Sequence, residues 1–177
     1  AIRVEDYKVV LKRLLRREGF EQRERDFLCF IFLVGFRFGL RPFEALFLRQ
    51  CDVYFSAKRL VLEVVPHRAR RLKNTGSRRV LELLEPLSKL ESDLLDRLFS
   101  QLDDRQAALR LPLFEGIRLP SPESFLRRLF ETIGAEVRAV TGNPKFTYYH
   151  LRHGHLNRVS ATVFDLEIGL HAAVAVF

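Results

Sequence analysis

The chain has 177 residues, 47% apolar and 29% charged, which suits one folded domain with a sizeable core and argues against a disordered or membrane-spanning class. Its net charge of +8 and pI near 10.0 favour anionic partners, nucleic acid ahead of acidic membrane surface. The two cysteines, Cys29 and Cys51, offer neither a disulfide framework nor zinc-ligand spacing, and Cys29 within an apolar run is expected as a buried thiol in a reducing cytoplasmic compartment.

Taken in chain order, residues 1–18 are expected as a helix rich in Lys and Arg, with Val9, Val10 and Leu14 on one side. A more buried helix follows over 24–34. Its apolar run, 27–36, is ten residues long and too short to cross a bilayer, so no membrane partner is expected. Gly35 and Gly39 mark its end. Pro42 then sits at N1 of a new helix that runs to about Arg49, and Glu44 near N3 suits its positive end. The segments 60–65 and 80–84 read as strands around turn chemistry at Asn-Thr-Gly-Ser, a hairpin with room for an extra strand. Between them, 67–79 carries six Lys/Arg and no acid, so the hairpin tip is strongly basic. Leucines 87, 90, 94, 98 and 102 fall at helical spacing over 86–102. Residues 103–120 are expected to be mostly loop. Ser121-Pro122-Glu123 opens a helix marked by Phe125, Leu129, Phe130, Ile133 and Val137. After the turn Gly142-Asn143-Pro144 comes a helix over about 147–163, then a short helical tail. The expected class is mainly α with a small antiparallel β-sheet, one domain over 1–177.

Two stretches have chemistry that a core helix does not need. "FGLRPFEALFLR", 38–49, breaks an apolar run to place Arg41. "YYHLRHGH", 148–155, puts Tyr149 on one helical face with Arg152 and with His153. A guanidinium grips two phosphate oxygens in fork geometry, and a neighbouring imidazole can move a proton at neutral pH. The bland reading of either stretch is a surface helix with stabilising ion pairs.

The order of these features resembles the catalytic domain of the tyrosine recombinases, the phage-integrase family. Gly39, Leu40, Arg41 and Glu44 match the family's first box, and Cys51-Asp52-Val53 the Ser-Asp-Ile that follows it. Lys73, Thr75, Gly76, Arg79 and Val80 match the hairpin lysine motif. Arg152 and His153 match the end of the second box, His-x-x-Arg-His. The resemblance spans about 1–171 and implies a site-specific DNA recombinase that cleaves and rejoins strands through a 3′-phosphotyrosyl intermediate. Arg41 and Arg152 would clamp the scissile phosphate. Lys73 would protonate the leaving 5′ oxygen, and His150, His153 and His171 would fill the imidazole positions. It implies no cofactor and no metal, double-stranded DNA as partner, a homo-oligomer on DNA, and a nucleoid-associated location. Arg68, Arg70, Arg71, Arg78 and Arg79 are expected to contact the DNA backbone.

Three departures stand beside the match. The residue three before Arg152 is Tyr149, not the family's histidine. The chain has no methionine, and one inserted after His150 would restore the box. His171 lies nineteen residues beyond Arg152, closer than the family's second imidazole. The usual nucleophile would fall beyond Phe177, and the family's N-terminal DNA-clamping domain would precede residue 1, so the chain is expected to be a domain-sized portion. Two other readings stay open: a recombinase-like DNA-binding protein without catalysis, and a basic helical adaptor for RNA or an acidic protein. The adaptor predicts that Arg41, Lys73 and Arg152 lie apart; the recombinase predicts that they converge.

Overall fold

The computed structural model describes residues 2–56, 59–68, 78–102, 109–119 and 122–174, with backbone alone over 164–174. Within these the elements are α1 (Val4–Leu15), α2 (Gln22–Phe38), α3 (Pro42–Leu46), a 3₁₀ turn (Gln50–Asp52), β1 (Val53–Ser56), β2 (Arg59–Val64), β3 (Arg79–Glu82), α4 (Lys89–Ser100), α5 (Leu113–Gly116), α6 (Pro122–Thr141) and α7 (Tyr149–Val174). The fold is mainly helical with one small antiparallel sheet, as the sequence pattern implies.

Helix α2 is the centre. It opens with a capping box, the Glu24 carboxylate accepting from the Glu21 amide at 2.9 Å. Every residue from Phe27 to Phe36 is buried. A helix apolar on all sides must be wrapped on all sides, and α1, α4, α6 and α7 do so. Truncating a ring such as Phe30, fully buried here, costs about 3–5 kcal/mol.

The sheet is a meander in the order β1-β2-β3, with Leu62 opposite Val53 and Leu81, and Val64 opposite Arg79. Leu60, Leu62 and Val64 alternate inward along β2. The β2–β3 pairing is the expected hairpin; β1 is an added strand on the other side of β2.

Some boundaries differ from expectation. Val9 is exposed, and the inward stripe of α1 is Tyr7, Val10, Leu11 and Leu14. Helix α3 stops at Leu46, and the 3₁₀ turn takes over because Asp52 is drawn back to cap Arg49. Residues 113–116, expected as loop, form α5, whose Leu113 amide donates to the Leu48 carbonyl at 2.8 Å. The last helix is one continuous element to Val174 rather than a helix and a tail.

A buried polar junction joins three elements around Glu91, which is 1% exposed. Its carboxylate accepts from the Tyr7 hydroxyl of α1 (2.7 Å), from Nε and Nη2 of Arg37 on α2 (2.8 Å each), and from the Ser88 amide and hydroxyl (2.7 Å each). Burial pushes the Glu91 pKa up, but these donors outweigh it and the net direction is down. A depressed carboxylate pKa adds stability that is present above the ordinary value of 4.5 and lost as pH falls through the folded value. Glu91→Gln is therefore expected to cost about 3 kcal/mol at pH 7, with the gap to wild type narrowing in urea unfolding below pH 4.5. A gap that stays constant down to low pH would remove Glu91 as a titrating partner.

Candidate anion-binding site

The site is built where α2 ends. Gly39 adopts the left-handed conformation (φ 63°), and its amide closes the helix on the Gly35 carbonyl at 3.1 Å. Two residues on, Arg41 is the N-cap of α3, and Pro42 is pre-set for N1. Glu44 at N3 turns back, accepting from the Arg41 amide (2.9 Å) and from Arg41 Nη1 (3.0 Å). Arg79, at the start of β3, donates to the same carboxylate through Nη1 (3.2 Å) and Nη2 (2.9 Å). Burial raises the Glu44 pKa, yet the bonds and charges of Arg79 and Arg41 outweigh it and bring it down.

Helix α7 brings the second guanidinium. Arg152 Nη1 donates to the Gly39 carbonyl at 2.8 Å, a contact spanning 113 residues of sequence. No described carboxylate is hydrogen-bonded to it. Burial and the charges of Arg41 and Arg79 push its pKa down, with Glu44 a partial offset. Tyr149, one turn earlier and exposed, lies near enough to Arg41 to act on its charge. Burial opposes the Arg41 charge, but Glu44 and Tyr149 hold its pKa above the ordinary value. Two guanidiniums thus bond one carboxylate with a third beside them, and an anion between Arg41 and Arg152 would offset the excess charge.

The candidate residues divide by position. Arg41, Arg79 and Arg152 converge. Arg79, expected to lie along DNA, turns inward onto Glu44 instead. His153 is exposed at the rim, its ring 5.4 Å from that of Tyr149. His150 faces the α1 side: its Nδ1 accepts from the Thr147 amide at 3.1 Å, and its ring lies 5.4 Å from Phe146 in a cavity with Ile2, Arg3 and Asp6. In the sequence as it stands, Tyr149 rather than His150 is the residue beside Arg41. Arg68 and Arg78 are exposed. Lys73, Arg70, Arg71 and the side chain of His171 lie outside the described residues. Among the described residues no group of three or more His, Cys, Asp or Glu is placed to hold a metal ion.

Sequence reasoning missed two residues beside the site. His155 packs against Gly39, and Arg158 Nη2 donates to the Phe36 carbonyl with its guanidinium 3.9 Å above the Phe36 ring. The signal was the spacing Tyr148, Leu151, His155, Arg158, one stripe of a helix that faces α2. No family model matches the chain, and no match is found among curated proteins.

The two kinds of site residue should separate in stability measurements. Glu44→Ala leaves two partly buried guanidiniums without their shared carboxylate and is expected to cost about 3 kcal/mol. Arg152→Met loses one bond to Gly39 but also the repulsion, so chemical denaturation should show a change under about 1 kcal/mol. A large loss at Arg152 would make it a structural arginine.

Proposed function

We propose that the chain is a catalytic domain of the tyrosine-recombinase type, acting on double-stranded DNA with a backbone phosphate held between Arg41 and Arg152. The observation that carries this reading is the meeting of these two arginines at Gly39, with Arg152 lacking a bonded carboxylate among the described residues while every other arginine of the cluster has one. The mainly helical fold with a small sheet, and a basic segment between β2 and β3, accord with the family resemblance.

In this reading the guanidiniums stabilise charge on the non-bridging oxygens as a phenolic oxygen attacks phosphorus and the 5′ oxygen departs. Lys73 supplies the proton to that oxygen. Tyr149 takes the place of the first imidazole of the second box and donates its hydroxyl to the phosphate, next to Arg41. Arg68 and Arg78 extend the backbone contacts. Assembly on DNA as a homo-oligomer, in the nucleoid, follows from the family analogy.

A second reading, DNA binding without cleavage by this chain, is favoured by the tyrosines. Tyr7 and Tyr148 are buried, their hydroxyls donating to Glu91 and to the Ile31 carbonyl (2.9 Å). Tyr54 is exposed on β1, and Tyr149 stands beside Arg41 on the helix that carries Arg152. None of the four stands opposite the guanidiniums as an attacking group.

A nicked duplex that traps covalent protein–DNA adducts tests both. Under the first reading a protein that supplies the family's nucleophilic tyrosine along with these residues forms adducts, and Arg41→Ala and Arg152→Ala lower adduct formation by about a hundredfold or more while keeping most of the binding. Under the second, duplex binding weakens steeply with salt and no adduct forms. Binding that ignores salt, or none, would sink both.

A further inference from the structure

The surface beside the arginine cluster carries one side chain that the phosphate site does not use. Phe43, on α3 two residues after Arg41, is 72% exposed, the highest value for any large apolar residue among the described residues. A single exposed apolar residue is ordinary on a protein surface. This one is joined to the core. Its ring lies parallel to that of Phe47 (2°, centroids 6.1 Å apart), Phe47 meets Phe114 edge-on at 5.9 Å, and Phe114 meets the fully buried Phe27 at 6.4 Å. A file of rings thus runs from the core outward and ends in water at Phe43.

The charges around that ring decide what it can meet. The segment 67–79, with six Lys/Arg and no acid, is tied to α3 at both ends: His67 Nε2 lies 3.0 Å from the carbonyl of Phe47, the C-cap, and Arg79 Nη2 donates to Glu44 at 2.9 Å. Arg41 is the N-cap of the same helix. The carboxylate of this helix, Glu44, is buried and bonded to Arg41 and Arg79. The exposed ring is therefore flanked by cations, which suits an aromatic or apolar group that carries negative charge beside it. A strand of nucleic acid has that composition, a flat π-face for every phosphate. A phenyl ring has no donor or acceptor, so it reads no base edge by hydrogen bonding. What it offers is its own face, and inside an intact duplex the faces of the bases are covered by their neighbours.

We propose that Phe43 is a stacking platform for an unpaired nucleobase next to the phosphate held by Arg41 and Arg152. The inference rests on the DNA reading above and adds to it a preference for DNA in which a base has left the stack. Phe47 and Phe114 back the ring, and Pro42 fixes the backbone just before it, so the ring loses little freedom when a base settles on it.

The test uses the full chain and two labelled duplexes of one sequence, the first fully paired and the second with a single unpaired thymine, followed by fluorescence anisotropy across a salt series. The wild type is expected to bind the second about tenfold more tightly. Phe43→Ala should lose that preference while keeping the wild-type affinity for the paired duplex and, because the ring is exposed, the wild-type denaturation midpoint. Phe43→Trp keeps a ring at the position and places a single tryptophan in a chain that has none. Its emission should be quenched by the duplex with the unpaired thymine and not by the paired one. Salt-dependent binding without a preference, a preference that survives in Phe43→Ala, or an unquenched Phe43→Trp would overturn the stacking role and leave the DNA reading standing. Absence of salt-dependent binding to either duplex would overturn both.

Discussion

The close approach of α7 to the end of α2 is the constraint on which the rest of the structure depends. A Cβ on Gly35 would lie 2.5 Å from the Tyr148 hydroxyl, and one on Gly39 2.8 Å from the His155 ring. Removing both side chains lets α7 lie directly on the last turn of α2. That turn carries carbonyls without partners inside the helix. Helix α7 supplies donors to this region, Arg158 to Phe36 and Arg152 to Gly39, while Tyr148 just before it bonds Ile31 two turns back. The bonds that close a helix end thus also aim Arg152 at Arg41. Packing and site geometry come from one contact.

Elsewhere the fold handles buried charge in one consistent way. Asp26 meets Arg97, Glu44 meets Arg41 and Arg79, Asp52 meets Arg49, Glu91 meets Arg37, and Glu136 meets Arg13 and Arg17. All of these acids but Asp52 tie two segments together, and each would be costly to bury alone. The arginines of α7 break the pattern. Burial and neighbouring positive charges push the pKa of both Arg152 and Arg158 down. The two guanidiniums that carry this electrostatic strain lie on one helix, and it is on Arg152 that the proposed phosphate site draws.

The readable parts of the fold were those with strong local signals. The Leu87–Leu102 stripe, the Pro42–Glu44 helix start and the β2–β3 hairpin each follow from spacing or turn chemistry. Arg41 and Arg152 were legible as a pair only through the order of motifs. Where the reading missed, tertiary contacts were the cause. Val9 fits a helical stripe as well as Tyr7 does, but Tyr7 stacks on Phe36 at 3.9 Å and bonds Glu91, partners far away in sequence. Arg79 looks like one more basic residue of the hairpin until the sheet register brings it to Glu44. The short β1 has too few residues to show a period, and its existence depends on pairing with β2.

The register of α7 has a further consequence for the two open readings. A helix advances about 100° per residue, so His150 and Tyr149 cannot face the same site. The fold resolves the choice locally: the His150 ring satisfies the first turn of α7 through Thr147, a use that fixes it toward α1. Tyr149 is then the residue beside Arg41. A phenol in that place offers one hydroxyl donor where the family's second box has an imidazole. In the proposed site a phosphate would rest on Arg41 and Arg152, while Arg79 stays on Glu44 and Tyr149 stands beside them.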